Sequence, residues 1–177
     1  MKEREEMVVD EVLRRIPSLK DGERYILGID GLSRSGKTTL TENIKKELQK
    51  ASIPVVTYHI DDYVVEREKR YDTGYEPWYE YYFLQWDIQA LKRDLFKAME
   101  KERTLVILEG VFLQREEWRS FFDFVVYVKC SREERFSRES EETRKKMNNF
   151  KERYWKAEDY YIATVEPERK ADFIVKT

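Results

Sequence analysis

The 177-residue chain contains a single cysteine, Cys130, so no internal disulfide can form and the chain fits a reducing compartment. Cys130 is expected to be a buried structural thiol. Histidine is equally scarce: His59 stands alone in a β-type run, where a lone imidazole reads as packing or hydrogen bonding to a neighbour rather than as a catalyst. Only four prolines are present, and neither a Pro-rich nor a Gly-rich linker interrupts the sequence, which argues for one domain spanning residues 1–177. No apolar run is long enough to span a bilayer, and the charged stretch Met1 to Asp10 lacks the apolar centre of a signal peptide. A soluble, cytoplasmic protein without a membrane partner is expected. A basic excess is missing too. Lys and Arg number 34 against 36 Asp and Glu, for a net charge of -2, and this balance argues against a general nucleic-acid binder while leaving room for a local basic patch that meets phosphates.

The chain does have a 14% aromatic content and repeated apolar runs, which mark a folded domain despite its 40% charged residues. Five short β-type runs stand out, Tyr25 to Asp30, Pro54 to Ile60, Thr104 to Glu109, Phe124 to Lys129 and Asp172 to Lys176. Between them, Leu40, Ile44 and Leu48 mark one helical stripe, and Ile88, Leu91, Leu95 and Met99 mark another. Strands alternating with helices predict a three-layer α/β/α sandwich around a five-stranded parallel sheet. Met1 to Leu19 reads as a leading amphipathic helix using Met7, Val8, Val12 and Ile16. Residues 131–147 are so polar that they read as a solvated helix or a mobile lid.

Directly after the first β run, Gly31-Leu32-Ser33-Arg34-Ser35-Gly36-Lys37-Thr38 matches G-x-x-x-x-G-K-[ST] and opens onto the first helical stripe. Glycines at these places let successive backbone N–H groups curl around phosphate oxygens, and the helix start adds its positive dipole end. Gly31, Ser33, Ser35 and Gly36 shape the cradle, Lys37 supplies charge for the β- and γ-phosphates, and Thr38 offers a hydroxyl to Mg²⁺. Thr39 is placed for the α-phosphate, while Arg34 either touches phosphate or points to solvent. ATP with Mg²⁺ is the expected nucleotide. The second β run ends in Asp61-Asp62-Tyr63 and the third in Glu109-Gly110, so both bring carboxylates to the sheet edge where such folds bind ligands. Either Asp61 or Asp62 can take the proton of an acceptor hydroxyl, and Glu109 suits Mg²⁺.

Ile29-Asp30-Gly31 through Thr39, Asp61-Asp62-Tyr63, Glu109-Gly110, and Val165-Glu166-Pro167 with Ala171-Asp172-Phe173-Ile174 occur in an order that resembles the uridine kinase and phosphoribulokinase-like branch of P-loop kinases. The resemblance implies an ATP-dependent kinase that phosphorylates a hydroxyl of a small acceptor, with Asp61 as general base, Lys37, Thr38 and Glu109 serving phosphate and metal, and Tyr63 beside the acceptor. It also implies a lid after Cys130 whose arginine, Arg138 or Arg135, closes over the moving phosphoryl group. Phe83-Leu84-Gln85-Trp86-Asp87 is similar to the nucleoside-holding stretch of nicotinamide riboside kinases, in which Trp86 would stack on a ring and Asp87 would bind ribose hydroxyls. The competing reading makes Trp86 a packing aromatic and Asp87 a helix N-cap. Tyr79-Glu80-Tyr81-Tyr82 replaces the Asp-His-Pro-type motif of typical uridine kinases, so a nucleoside or riboside acceptor is implied without naming uridine, with pantothenate or a sugar phosphate next. A nucleotide hydrolase is the rival reading, and a homo-oligomer is left open.

Overall fold

The computed structural model describes residues 2–177, with side chains described from Glu6 onward. Five parallel strands form one sheet: β1 (Tyr25–Asp30), β2 (Val55–His59), β3 (Leu105–Gly110), β4 (Phe124–Lys129) and β5 (Phe173–Lys176), in the spatial order β2-β3-β1-β4-β5. The strands are apolar on both faces because each feeds two cores, as a parallel sheet between helical layers requires. On one side Ile26, Val106, Leu108 and Val125 pack with Trp86, Leu95, Phe96, Phe112 and Trp118. On the other, Leu27, Ile29, Leu105, Ile107, Val126 and Val128 meet Leu40, Ile44 and Leu48 of helix α2 (Lys37–Lys50). Two carboxylates fix strand starts from the neighbouring chain segment: Asp123 accepts from the Ile26 N–H at 2.7 Å, and Asp172 from the Val125 N–H at 2.7 Å.

Helix α1 (Lys2–Leu13) covers the second core through Val9 and Val12, which are buried. The expected leading helix is therefore shorter, ending at Leu13 instead of Leu19, and Met7 is 71% exposed because the inward face runs through Val8, Val9 and Val12. Ile16 still packs on that core from beyond the helix. After β2 comes a single turn, Ile60–Tyr63, then helix α3 (Pro77–Phe83) and a helical stretch over residues 88–101, with Leu91, Leu95 and Met99 buried as their spacing predicts. Cys130 is half-buried.

The polar segment departs from its expected character. It forms two short helices, Arg132–Ser137 and Glu141–Arg144, and the first is anchored in the protein. Arg135 is buried in a two-pronged ion pair with Glu158, at 2.8 and 2.9 Å, and the Phe136 ring meets Phe150 and Trp155 edge-on. A second buried pair, Arg153 with Glu80 at 2.9 Å, clasps the loop before α3: Glu80 also accepts from the Thr73 N–H and hydroxyl, and Arg153 donates to the Arg70 carbonyl.

Candidate active site

The loop between β1 and α2 needs its first glycine for space. A Cβ on Gly31 would lie 2.7 Å from both the Ser35 hydroxyl oxygen and the Val128 carbonyl oxygen. Gly36, with φ of 100°, closes the curl and leads into α2. Lys37 is buried and its ammonium donates to the Leu32 carbonyl at 2.9 Å, so it is held inside the loop it serves. Burial pulls the Lys37 ammonium below its ordinary pKa, while the carboxylates of Glu109, Asp30, Asp61 and Glu158 work against that shift.

Ser33, Arg34, Gly36, Lys37, Thr38 and Thr39 line one cavity of about 760 Å³, and the same cavity receives Asp61, Glu109 and Arg138. The structure thus brings together the phosphate loop, both strand-end acids and the lid arginine that the sequence picked out. Thr38 donates to Glu109 at 3.1 Å, and Glu109 also contacts His59 Nδ1 at 2.7 Å. His59, set aside on the sequence, is the neighbour that orients this carboxylate. Its position on β2, paired in register with Glu109 on β3, carries the signal only once strand order is known.

Asp61 lines the cavity with its residue surface exposed, yet the protein packed around its carboxylate still removes part of its water. This desolvation pushes its carboxyl above the ordinary range; Lys37 opposes the shift, and Glu109 and Asp62 add to it. A base tuned upward is better matched to proton abstraction near neutral pH. Tyr81 and Val111 complete this end of the cavity. The Tyr81 phenol is held well above its ordinary pKa, first by burial and then by the nearby carboxylates of Glu158 and Asp61.

At the loop's outer face Arg138 donates to the Arg34 carbonyl at 2.9 Å, and the Arg34 guanidinium pairs with Glu139 at 3.0 Å. Arg34 is therefore largely in solvent, as one of its two readings had it, and from there its guanidinium reaches the lid through Glu139. Arg135 donates to the Ser33 carbonyl at 3.1 Å while committed to Glu158, which leaves Arg138 as the lid arginine facing the cavity. Behind the loop Asp30 is fully buried and accepts from the Leu113 N–H, the Gln114 amide and the Tyr161 hydroxyl. Quoted above only as part of the Ile29-Asp30-Gly31 opening, Asp30 here ties the end of β1 to the segment after β3.

Three expected acceptor residues stand elsewhere. Trp86 is 4% exposed, donates its indole N–H to the Ile60 carbonyl at 3.0 Å and meets Phe112 and Trp118 edge-on, so it is a core aromatic and not a stacking platform. Asp87 is the N-cap of the helix beginning at Ile88, accepting from the Ala90 N–H at 2.9 Å. Tyr63 packs half-buried on the first core and is not among the cavity's lining residues.

The donor set fits a nucleotide with Mg²⁺. The Ser35 hydroxyl is buried within the loop without a hydrogen-bond partner, and Thr38 with Glu109 forms the close pair of hard oxygen donors that Mg²⁺ favours. Among the described residues no group of three His, Cys, Asp or Glu side chains stands ready to hold a metal unaided. Such a site suits an ion that relies on phosphate oxygens and water for its remaining ligands.

The AAA domain family profile matches residues 27–156. No curated protein sequence matches the chain. Among solved structures, a protein described as a possible uridine kinase from Bacillus stearothermophilus superposes with a TM-score of 0.82 at 39% identity, covering 98% of this chain and 97% of that one. A protein provisionally described as a fructose transport system kinase from Silicibacter sp. TM1040 gives 0.75 at 16% identity over 96% and 97% of the two chains, a likeness of fold alone. Among the described residues, no helix is long and apolar enough to cross a membrane. With its phosphate loop and strand-end acids in one cavity and that 39% identity across nearly the whole chain, the protein belongs to the uridine kinase-like group of the P-loop kinase fold.

Proposed function

We propose that the protein transfers the γ-phosphate of ATP to a hydroxyl of a small, ring-bearing acceptor such as a nucleoside or riboside. The observation that carries this reading is the meeting of Asp61 and Glu109 with Lys37 and Thr38 in one cavity. A phosphate cradle alone would serve a hydrolase equally, whereas a carboxylate facing it with an upward-tuned pKa supplies what hydroxyl activation needs.

In this mechanism the backbone of residues 31–36 and the Lys37 ammonium grip the phosphate chain, and Arg138 neutralises charge on its outer side. Thr38 and Glu109 would hold Mg²⁺, which when bound supplies charge neutralisation to the phosphates. Asp61 accepts the proton of the acceptor hydroxyl as that oxygen forms its bond to the γ-phosphorus and the bond from phosphorus to the bridging oxygen breaks, ADP leaving with that electron pair. The acceptor end is lined by Asp61, Glu109, Tyr81 and Val111, three oxygen-bearing groups and one aliphatic, a set suited to sugar hydroxyls beside a ring. This composition favours an acceptor without an anionic group over pantothenate or a sugar phosphate, since the adjoining carboxylates repel an anion. The two buried clasps, Arg135–Glu158 and Arg153–Glu80, hold the lid base and the loop before α3 against the protein, so the acceptor end is organised by fixed elements.

The test is ADP release from Mg-ATP against ribonucleosides, nicotinamide riboside, pantothenate and sugar phosphates. Release that depends on a nucleoside or riboside without an anionic group supports the reading. Release that ignores every acceptor makes the protein a hydrolase.

A further inference from the structure

The hydrogen bonds between the lid segment and the phosphate loop converge on two consecutive residues, Ser33 and Arg34. Arg34 has a φ of 61°, in the left-handed region that residues with a side chain seldom enter, so its surroundings must hold it there. Arg138 and Glu139 do part of this, one on the Arg34 carbonyl and the other on its guanidinium. Ser33 is held through a buried ion pair. Arg135 Nη1 donates to the Ser33 carbonyl at 3.1 Å and to Glu158 at 2.8 Å, while Nη2 donates to the second Glu158 oxygen at 2.9 Å. Burial pushes the Glu158 carboxyl above its ordinary pKa, and the bonds and charge of Arg135, with a hydrogen bond from the Ser33 N–H, pull it back. Both polar backbone groups of Ser33 therefore end on one ion pair. The helix Lys156–Val165 that carries Glu158 also carries Tyr161 one turn later, whose hydroxyl donates to Asp30 at 2.6 Å, directly before Gly31. This helix thus grips the loop at its start and at Ser33.

A trans peptide is planar, with its C=O and N–H on opposite sides. Holding the Ser33 carbonyl toward Arg135 therefore turns the Arg34 N–H the other way, and Ser33 and Arg34 line the cavity whereas Arg135 does not. We propose that Arg135 and Glu158 are positioning residues for nucleotide binding: they fix the Ser33–Arg34 peptide so that its N–H is presented to phosphate, and neither side chain touches the nucleotide. The inference rests on the ATP reading above, and it takes Arg135 out of the role of a second arginine on the moving phosphoryl group. Without the pair, the strained turn at Arg34 gives the loop a reason to visit other shapes. Its affinity for phosphate then falls in proportion to the time it spends in the binding shape.

Two variants of the full chain test this. Arg135→Met combined with Glu158→Leu removes both charges together and keeps their bulk, which spares the stability that breaking one partner alone would cost. Arg135→Lys keeps a cation beside Glu158 but lacks the fork that reaches Ser33 as well, and it carries the test alone if the double variant does not fold. Thermal melts establish folding, calorimetry with Mg-ATP and with inorganic tripolyphosphate reads binding, and acceptor-dependent ADP release reads turnover. The double variant should bind both ligands about tenfold more weakly, as a loop in its binding shape about a tenth of the time would. Its KM for ATP should rise by a similar factor while kcat at saturating ATP stays near the parental value, and Arg135→Lys should move the same way by less. Parental affinity for both ligands in a folded variant overturns the inference and leaves the pair a clasp of the fold only. A fall in kcat with ATP affinity retained overturns it too, because Arg135 would then meet the phosphoryl group directly. A parent protein that binds neither ligand refutes the ATP reading itself.

Discussion

Replacing Gly110 by alanine should separate nucleotide binding from transfer. Gly110 ends β3 directly beneath the turn Ile60–Tyr63 that carries Asp61. A Cβ there would lie 2.2 Å from Ile60 Cγ2 and 3.2 Å from Ile60 Cβ, whereas carbon atoms rest about 3.5–4.0 Å apart. The turn must therefore retreat by about 1.5 Å or Ile60 must leave its rotamer. Neither is easy, because Ile60 is fully buried and its carbonyl is pinned by the Trp86 indole at 3.0 Å. Overpacking of this kind costs about 1–3 kcal/mol, which in a chain of this size lowers the melting temperature by roughly 2–12 °C. The larger effect falls on Asp61, the next residue: a displacement near 1 Å at a reacting group costs about a hundredfold in rate. The phosphate loop lies on β1 and α2, so ATP affinity should change by much less than turnover. Calorimetric ATP binding, a thermal melt and acceptor-dependent ADP release on the same preparation measure all three. A Gly110→Ala protein with parental melting temperature and parental turnover would refute the reasoning.

Other perturbations have equally definite outcomes. Asp61→Asn should abolish transfer while leaving ATP affinity within a few-fold of the parent. In the parent, the base works only when ionised, so kcat/KM should fall as pH drops through the raised Asp61 pKa, with an acid limb above the ordinary carboxylate value of about 3.9; a limb at or below that value contradicts the assignment. Arg153→Ala leaves Glu80 buried without its cation and should cost about 3–5 kcal/mol in chemical denaturation. Burial alone would raise the Glu80 pKa, but hydrogen bonds from Thr73 and the Arg153 charge hold it below the ordinary glutamate value. The stability this group adds is therefore present above that ordinary value and lost as pH falls through the lowered pKa, and parent melts between pH 3 and 6, roughly spanning that range, should show the loss. Trp86→Phe should cost about 1 kcal/mol through the lost bond to Ile60 and leave the acceptor preference unchanged; a selective rise in acceptor KM would restore Trp86 as a stacking residue.

Strands were the most legible part of the sequence. Tyr25–Asp30 and Phe124–Lys129 run between the residues that bound their apolar stretches, and the last strand starts at Phe173, one residue after Asp172, whose carboxylate accepts from the Val125 N–H. The phosphate loop was legible because its chemistry is local. Asp61 and Glu109 were legible because strand ends share an edge in a parallel sheet. What could not be read depends on partners distant in sequence. Arg135 counts as a surface charge in any pattern, and its burial follows from Glu158, brought beside it by the helix that starts after Trp155. Trp86 and Asp87 allowed two readings with the same residues, and the bond to the Ile60 carbonyl decides for packing. The role of His59 beside Glu109 appears only through the β2–β3 register.

The central claim is that this cavity moves phosphate to a hydroxyl and not to water. Incubation with ATP carrying ¹⁸O in its γ-phosphate and a nucleoside or riboside without an anionic group, followed by mass spectrometry of the products, tests it directly. The account predicts label in an acceptor phosphate ester formed by the parent and absent with Asp61→Asn. Label appearing in free inorganic phosphate at the same rate with or without acceptor would contradict it.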